Sequence, residues 1–290
     1  MKIVSSFIDD IHLKEGQYHA FTFESSYLLK TFKQHVFAFF NNKSQTETQF
    51  LRILDSNNNE YKAKDFHFIS FNCHHINLEF EKDTKIQIQK LLFHQLENNP
   101  NLINNFYDFK NHLSTFVTGL ELTDGNLSVE FQHNEKTILN LIKSLEIIIE
   151  FDEKEYIPNY SIRQFLINTL LKLNHTGKKP ILFISYPEAD IGFGEIDHVI
   201  NLLQELQITT IVLSSNYSFL KVASDNQLYL VNKNGSFYDI LGLRNELKAF
   251  EIISESSSKE LVRFIALYDF HKEYDLLSEK VKDFLLSDTL

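Results

Sequence analysis

Scarcities bound this 290-residue chain before any motif does: it holds one cysteine, one methionine, no tryptophan, 8 glycines and 4 prolines. The lone thiol, Cys73, cannot close an intramolecular disulfide, which excludes a disulfide scaffold and favours a reducing compartment. No apolar run approaches the ~18 residues of a membrane span. The start, Met1 to Asp10, meets acid at Asp9 before a signal peptide could form. These absences point to a cytoplasmic protein with no membrane partner. Positive charge is also short, with 28 Lys plus Arg against 39 Asp plus Glu and a net charge of -11. A protein that neutralises phosphates needs basic groups, so this balance weighs against nucleic acid. The deficit is uneven, however: residues 1–72 hold 8 basic and 8 acidic groups, so the remainder carries all of it. What is plentiful is apolar: 43% of residues, 27 of them Phe, enough for a chain this long to bury a core without staples.

Alternation predicts short strands over Lys2–Ser6, Asp10–Leu13 and Tyr18–Glu24. A helix follows, with Ser25 or Ser26 as N-cap and Leu28, Phe32, Val36 and Phe39 as its buried stripe. Further strands are expected over Gln49–Leu54 and Phe66–Phe71. From Asp83 the period changes to 3.6. Ile88, Leu92 and Leu96 mark one helix that stops near Pro100, and Leu102 to Leu120 mark a second, which the 3-4 spacing and short connection make its expected antiparallel mate. A short strand over Leu127–Phe131, a helix over Glu135–Leu145 and a strand over Glu146–Phe151 come next. A helix over Ser161–Leu173, closed by Gly177, a strand over Pro180–Ser185, a helix over Glu195–Leu206 and a strand over Thr209–Ser214 complete the alternation. Continuously apolar strands between amphipathic helices mean a sheet covered on both faces, hence largely parallel. Tyr229–Val231 with the turn Asn232–Gly235 could add an edge hairpin. The fold class is therefore α/β, with a mostly parallel sheet. Its head domain is expected over 1–82 and 146–244, an inserted helical lobe over 83–145, and a C-terminal helical extension over 245–290 whose apolar set is Leu261, Ile265, Tyr268, Leu276, Leu277, Val281 and Phe284.

Such a sheet invites a search for a phosphate loop. Gly177-Lys178-Lys179 lies after a helix and before a strand, the reverse of the required context. The turn that should carry the loop, Glu24-Ser25-Ser26-Tyr27, has neither glycine nor lysine, so no nucleotide is expected. Gly192-Phe193-Gly194 could present amides to an anion, but Glu188, Asp190 and Glu195 beside it repel phosphate. His67, Cys73, His74 and His75 are the one soft-ligand cluster, and adjacent strand residues diverge to opposite faces, which favours a structural strand end over zinc. Glu121, Asp124 and Glu130 fall in what reads as a short polar connection with Gly125 and Asn126. Oxygens there could gather on a hard cation such as calcium, although an ordinary solvated turn weighs more on spacing alone.

From Glu135 to Ile147 the chain resembles the CRISPR-associated Csn-two family of type II-A systems, and the order of elements around that segment agrees. The resemblance implies a degenerate relative of P-loop ATPases that forms homotetrameric rings and binds ends of double-stranded DNA through a lysine-lined hole. It implies work in spacer acquisition beside the CRISPR integrase complex and the effector nuclease, and no enzymatic activity. Calcium held by carboxylates ahead of the motif, here Glu121, Asp124 and Glu130, is a further implication. Residues 245–290 fall beyond the match, as in a divergent or long-form member. The balanced N-terminal quarter then supplies the DNA-binding candidates. Lys30 and Lys33 lie off the buried stripe of the first helix, and Arg52, Lys62 and Lys64 flank a polar turn. Two competing readings remain: a metal-dependent nuclease or NTPase using Asp190 and Glu188 at a strand's carboxyl end, and a purely structural interaction protein.

Overall fold

The computed structural model describes residues 1–46, 48–72, 89, 92, 93, 96, 98–118, 121–124, 127–130, 178–189, 191, 193–254 and 257–287. The elements expected over 135–145, 146–151 and 161–173, the Gly177 cap, Cys73, His74, His75 and Asp190 lie outside them. The chain divides into two compact units, one of Met1–Ile76 with Pro158–Leu290 and one of Asn77–Ile157.

In chain order the first unit holds β1 (Lys2–Ser5), β2 (Ile11–His12), β3 (Tyr18–Phe23), α1 (Ser26–Phe40), β4 (Leu51–Leu54) and β5 (Phe66–Asn72). The second unit contributes α2 (Pro100–Thr118), β6 (Glu121–Asp124) and β7 (Leu127–Glu130). The first unit resumes with β8 (Lys179–Ser185), α3 (Ile196–Glu205), β9 (Thr209–Leu213), the single turn α4 (Tyr217–Leu220) and β10 (Leu228–Val231). Three helices finish the described chain: α5 (Ile240–Ala249), α6 (Lys259–His271) and α7 (Glu279–Ser287).

The first unit is α/β, as its sequence pattern predicts. Its five-stranded sheet has the order β10-β3-β9-β8-β5, and every pairing is parallel. β9 is buried at all five positions and β8 at its last five, which is why these strands are apolar throughout rather than alternating. α1 covers one face through Leu28, Phe32 and Val36. The Phe32 ring is fully buried, with ring centres 5.6 Å from Phe21 and from Phe23 and 6.4 Å from Phe183. A second sheet, antiparallel in the order β2-β1-β4, adds Ile3, Ile11, Leu51 and Ile53 to the same core.

Both ends of α1 follow from local chemistry. Ser25 is the N-cap, its Oγ accepting from the Leu28 N–H at 3.4 Å. At the other end Asn42 takes φ 52, the Asn42 N–H donates to Phe39 O at 3.1 Å and the Lys43 N–H to Ala38 O at 2.9 Å. That pair of bonds is the Schellman closure, with asparagine tolerating the left-handed position.

Three local expectations are corrected. β10 joins the sheet edge by pairing in parallel with β3, and the Asn232–Gly235 turn returns the chain only as far as one bridge between Val231 and Phe237. The C-terminal stretch is three helices, because Ser258 starts a new one with its Oγ on the Leu261 N–H at 3.1 Å, and Lys272 ends it at φ 59. Within it Leu261 and Leu276, expected in the apolar set, are exposed. In the first turn of α6 the inward place belongs to Val262, and Leu276 ends an isolated 3-10 turn.

In the second unit α2 begins at Pro100, which needs no N–H there, while Asn99 Oδ1 accepts from the Asn101 and Leu102 N–H groups at 3.1 and 3.3 Å. β6 and β7 form an antiparallel pair joined by Gly125 and Asn126, so the expected polar connection is a hairpin.

Candidate nucleic-acid interface

All five strands of the parallel sheet end at one margin, the place where open α/β sheets bind ligands. The β3–α1 turn lies there and consists of Glu24 and Ser25 alone. Ser25 is used as the helix cap, and Glu24 is held by Lys233, whose Nζ is 3.1 Å from Oε1 and whose N–H donates to Oε2 at 3.1 Å. Hydrogen bonding from Lys233 keeps the Glu24 carboxyl below its ordinary range. A carboxylate thus stands beside the helix start, and the turn has no run of amides to cradle a triphosphate.

Glu188 is equally occupied. Its carboxylate accepts from Ser214 Oγ at 2.9 Å, from the Ser215 N–H at 3.0 Å and from Ser215 Oγ at 3.4 Å. These bonds tie the end of β8 to the end of β9. Tyr186 between them takes φ 55 and donates its N–H to Leu213 O at 2.7 Å. Burial pushes the Tyr186 phenol up, and the charge of Glu188 adds to the rise.

Along α1 runs a groove of about 610 Å³. Lys30, Lys33 and Lys43 line it together with Gln34, Phe37 and Tyr186, and among the described residues no carboxylate does. The 3-4 spacing of Lys30, Lys33, Gln34 and Phe37 puts them on one helix face. The Schellman closure brings Lys43 back to that face, and Lys33 Nζ lies 5.7 Å from the centre of the Tyr186 ring. Three ammonium groups beside two aromatic rings can take phosphates while offering rings to bases, the pairing that nucleic-acid grooves use. Sequence reasoning found Lys30 and Lys33 but missed Lys43 and Tyr186. Asn41-Asn42 at the helix end was the signal for the first, and nothing local signals the second.

The remaining candidates lie elsewhere. Arg52 is exposed on β4 opposite Val4, its guanidinium 5.0 Å from the Phe50 ring centre. Lys62 and Lys64 are exposed just ahead of β5 and both precede Asp65, whose Oδ2 accepts the Lys62 N–H at 2.7 Å. Of the carboxylates proposed for a metal, Glu121 and Glu130 are register partners at the open end of the β6–β7 hairpin, and Asp124 lies at the closed end opposite Leu127. Among the described residues no group of three or more His, Cys, Asp or Glu could hold a metal ion, and no helix is long and apolar enough to cross a membrane.

The parallel sheet, the glycine-free β3–α1 turn and the lysine groove define an α/β protein that has the strand-turn-helix of a nucleotide-binding fold without its phosphate cradle. Its architecture is similar to that of Stu0660 of Streptococcus thermophilus, a CRISPR-locus protein of the Csn-two type. The TM-score is 0.66 and the match covers 100% of this chain and 93% of that one, at 14% sequence identity, so the likeness is one of fold. No model of a protein family and no curated protein matches the chain.

Proposed function

We propose that the chain is a non-catalytic protein that binds double-stranded DNA, closes into a homotetrameric ring and acts in CRISPR spacer acquisition beside the integrase complex and the effector nuclease. The observation that carries this reading is the groove of Lys30, Lys33, Lys43 and Tyr186, lined by no carboxylate among the described residues on a chain of net charge -11. The fold likeness to a CRISPR-locus protein supports the setting. A ring needs no positive total, because symmetry repeats one basic groove around a common axis. The occupied Glu24 and Glu188 support a role without nucleotide chemistry. Calcium, if the second unit holds it, would draw on Glu121 and Glu130, which share one end of the hairpin, and not on all three carboxylates, since Asp124 lies at the other end; it would steady the structure rather than react.

The test incubates purified chain with linear and circular duplexes of one sequence, with and without calcium, and measures its mass by light scattering. Retention of the linear form by a tetramer is the expected result. A monomer removes the ring, and absence of retention removes DNA. Cleavage, or ATP hydrolysis lost in Asp190→Ala, would restore the enzyme reading.

A further inference from the structure

The groove along α1 has a lining that phosphate binding alone does not explain. Lys30, Lys33 and Lys43 supply charge, while Leu29, Phe37 and the Tyr186 ring supply an apolar wall. A surface that meets only the backbone of a duplex needs donors and has no use for such a wall. At about 610 Å³ the groove has the size of a small-molecule site, and a duplex, whose major groove alone is about 12 Å wide, does not enter it.

Tyr186 is its least ordinary member. A bulky residue at φ 55 is an outlier, and it persists only where its surroundings hold it. Its N–H donates to Leu213 O at 2.7 Å, its carbonyl accepts from the Ala189 N–H at 3.0 Å, and Glu188 two residues on is bound by Ser214 and Ser215. These bonds fix the backbone from which the ring enters the groove, with Lys33 Nζ 5.7 Å from the ring centre. Phe37 is held edge-on by Phe68 and Phe183, ring centres 5.9 and 5.6 Å away. Both rings are thus placed in advance, and an ordered platform loses little freedom on binding. Among the described residues Lys30 and Lys43 make no ion pair, which leaves their charges to an incoming anion. Paired bases hide their faces in the stack, so an aromatic wall engages a base face only when that base has left it.

We propose that the groove takes an unpaired terminal nucleotide of a DNA end, its base against the Tyr186 ring and its flanking phosphates on Lys30, Lys33 and Lys43. This rests on the DNA-binding reading above and narrows it: the groove reads the overhanging end while the same lysines hold the adjoining backbone. Stacking of this kind tolerates any base, so the recognition is of the unpaired state and not of sequence.

The test uses the full chain and hairpin duplexes of one sequence, each with a single open end that is blunt, carries a two-nucleotide overhang, or carries the same overhang made abasic. Overhangs of both polarities are compared. With at least one polarity the overhang should bind about fivefold or more tighter than its abasic copy, which has the same phosphates. Tyr186→Phe should keep that ratio. Tyr186→Gly, which suits the positive φ and removes the ring, should bring it close to one, with an unchanged thermal midpoint showing that the variant is folded. Free dAMP, lacking flanking phosphates, should compete far less well than the overhang; equal competition would assign the groove to a free nucleotide and overturn the inference. A ratio near one at both polarities, with the blunt duplex still bound, overturns this inference and leaves the DNA reading standing. Absence of binding to every duplex overturns both. A ratio unchanged in folded Tyr186→Gly overturns the placement of the base.

Discussion

Lysines at the two margins of the parallel sheet look alike in the sequence and stand in different fields. At the amino margin Lys179 Nζ lies 2.5 and 2.6 Å from the two carboxylate oxygens of Glu15. Burial alone would lower its pKa, but the hydrogen bonds and charges of Glu15 and Tyr61 together outweigh burial and hold it above its ordinary value. Lys62 and Lys64 on that side precede Asp65, which accepts the Lys62 N–H. Along α1, which starts at the carboxyl margin, Lys30, Lys33 and Lys43 share a groove that no carboxylate among the described residues lines. Two carboxylates of that margin are already used, Glu24 by Lys233 and Glu188 by Ser214 and Ser215. What a lysine can offer an anion depends on where the neighbouring acids spend their bonds, and counting charges does not reveal that.

The harshest way to break the comparison is to remove the layer on which both margins rest. Phe32→Ala opens a cavity between Phe21, Phe23 and Phe183 and should cost about 3–5 kcal/mol. Chemical denaturation measures it, and a loss below about 1 kcal/mol would show that this layer can collapse around the gap. A gentler cut separates the margins. Lys30→Glu with Lys33→Glu and Lys43→Glu should weaken duplex binding about tenfold or more and flatten the salt dependence by about 0.9 per lost phosphate contact. Arg52→Glu with Lys62→Glu and Lys64→Glu should change affinity by less than about threefold, as exposed charges beside an acid contribute little. Equal effects from the two sets, in binding measured from low to moderate salt, would erase the distinction.

Much of the scaffold was legible because it depends on local chemistry. The Leu28, Phe32, Val36 stripe, the Ser25 cap and the apolar runs of β8 and β9 each declare a helix, its start and a doubly covered strand. What escaped depends on neighbours distant in sequence. Of the β6–β7 hairpin the second strand was expected, but β6 hides because Leu122 is its one apolar residue, although Gly125-Asn126 is a two-residue turn signal. β10 pairs with β3 because the sheet offers an open edge there, and nothing within Leu228–Val231 distinguishes that from a hairpin. Of the candidate site, the helix face of Lys30 and Lys33 could be read. Tyr186 could not, since its place depends on a left-handed turn held by Leu213 across the sheet.

A finer probe touches the carboxyl margin alone. Ser25→Ala removes the cap of α1 and should cost about 0.5–1 kcal/mol, at the low end because the 3.4 Å bond is long, while Ser25→Gly should cost a few tenths. Urea unfolding of the two variants resolves the order, and equal losses would assign the effect to the hydroxyl's surroundings rather than to capping.

The smallest effect compares two histidines among the described residues whose pKa is lowered, buried His19 and half-buried His271, one near each margin. His19, second in β3, is fully buried, with Nε2 3.1 Å from the Lys14 nitrogen and 3.0 Å from the Lys14 oxygen, and its Nδ1 has no partner. Burial lowers its pKa from 6.5, the hydrogen bond to Lys14 opposes that, and the charges of Lys14 and the amino terminus reinforce it. His271 is lowered by burial too, opposed by Glu273. A histidine whose folded value is depressed binds fewer protons folded than unfolded. Its contribution is complete above the unfolded value of 6.5 and declines as the pH falls from there through the folded value. Stability should therefore be flat from pH 8 to about 6.5 and drop toward pH 5.5, before carboxylates titrate. His19→Gln should flatten that drop more than His271→Gln, since His19 is the more deeply buried and faces two positive charges where His271 faces a negative one. Urea midpoints at half-unit pH steps read the slopes, and a drop unchanged in both variants would place the titrating group elsewhere.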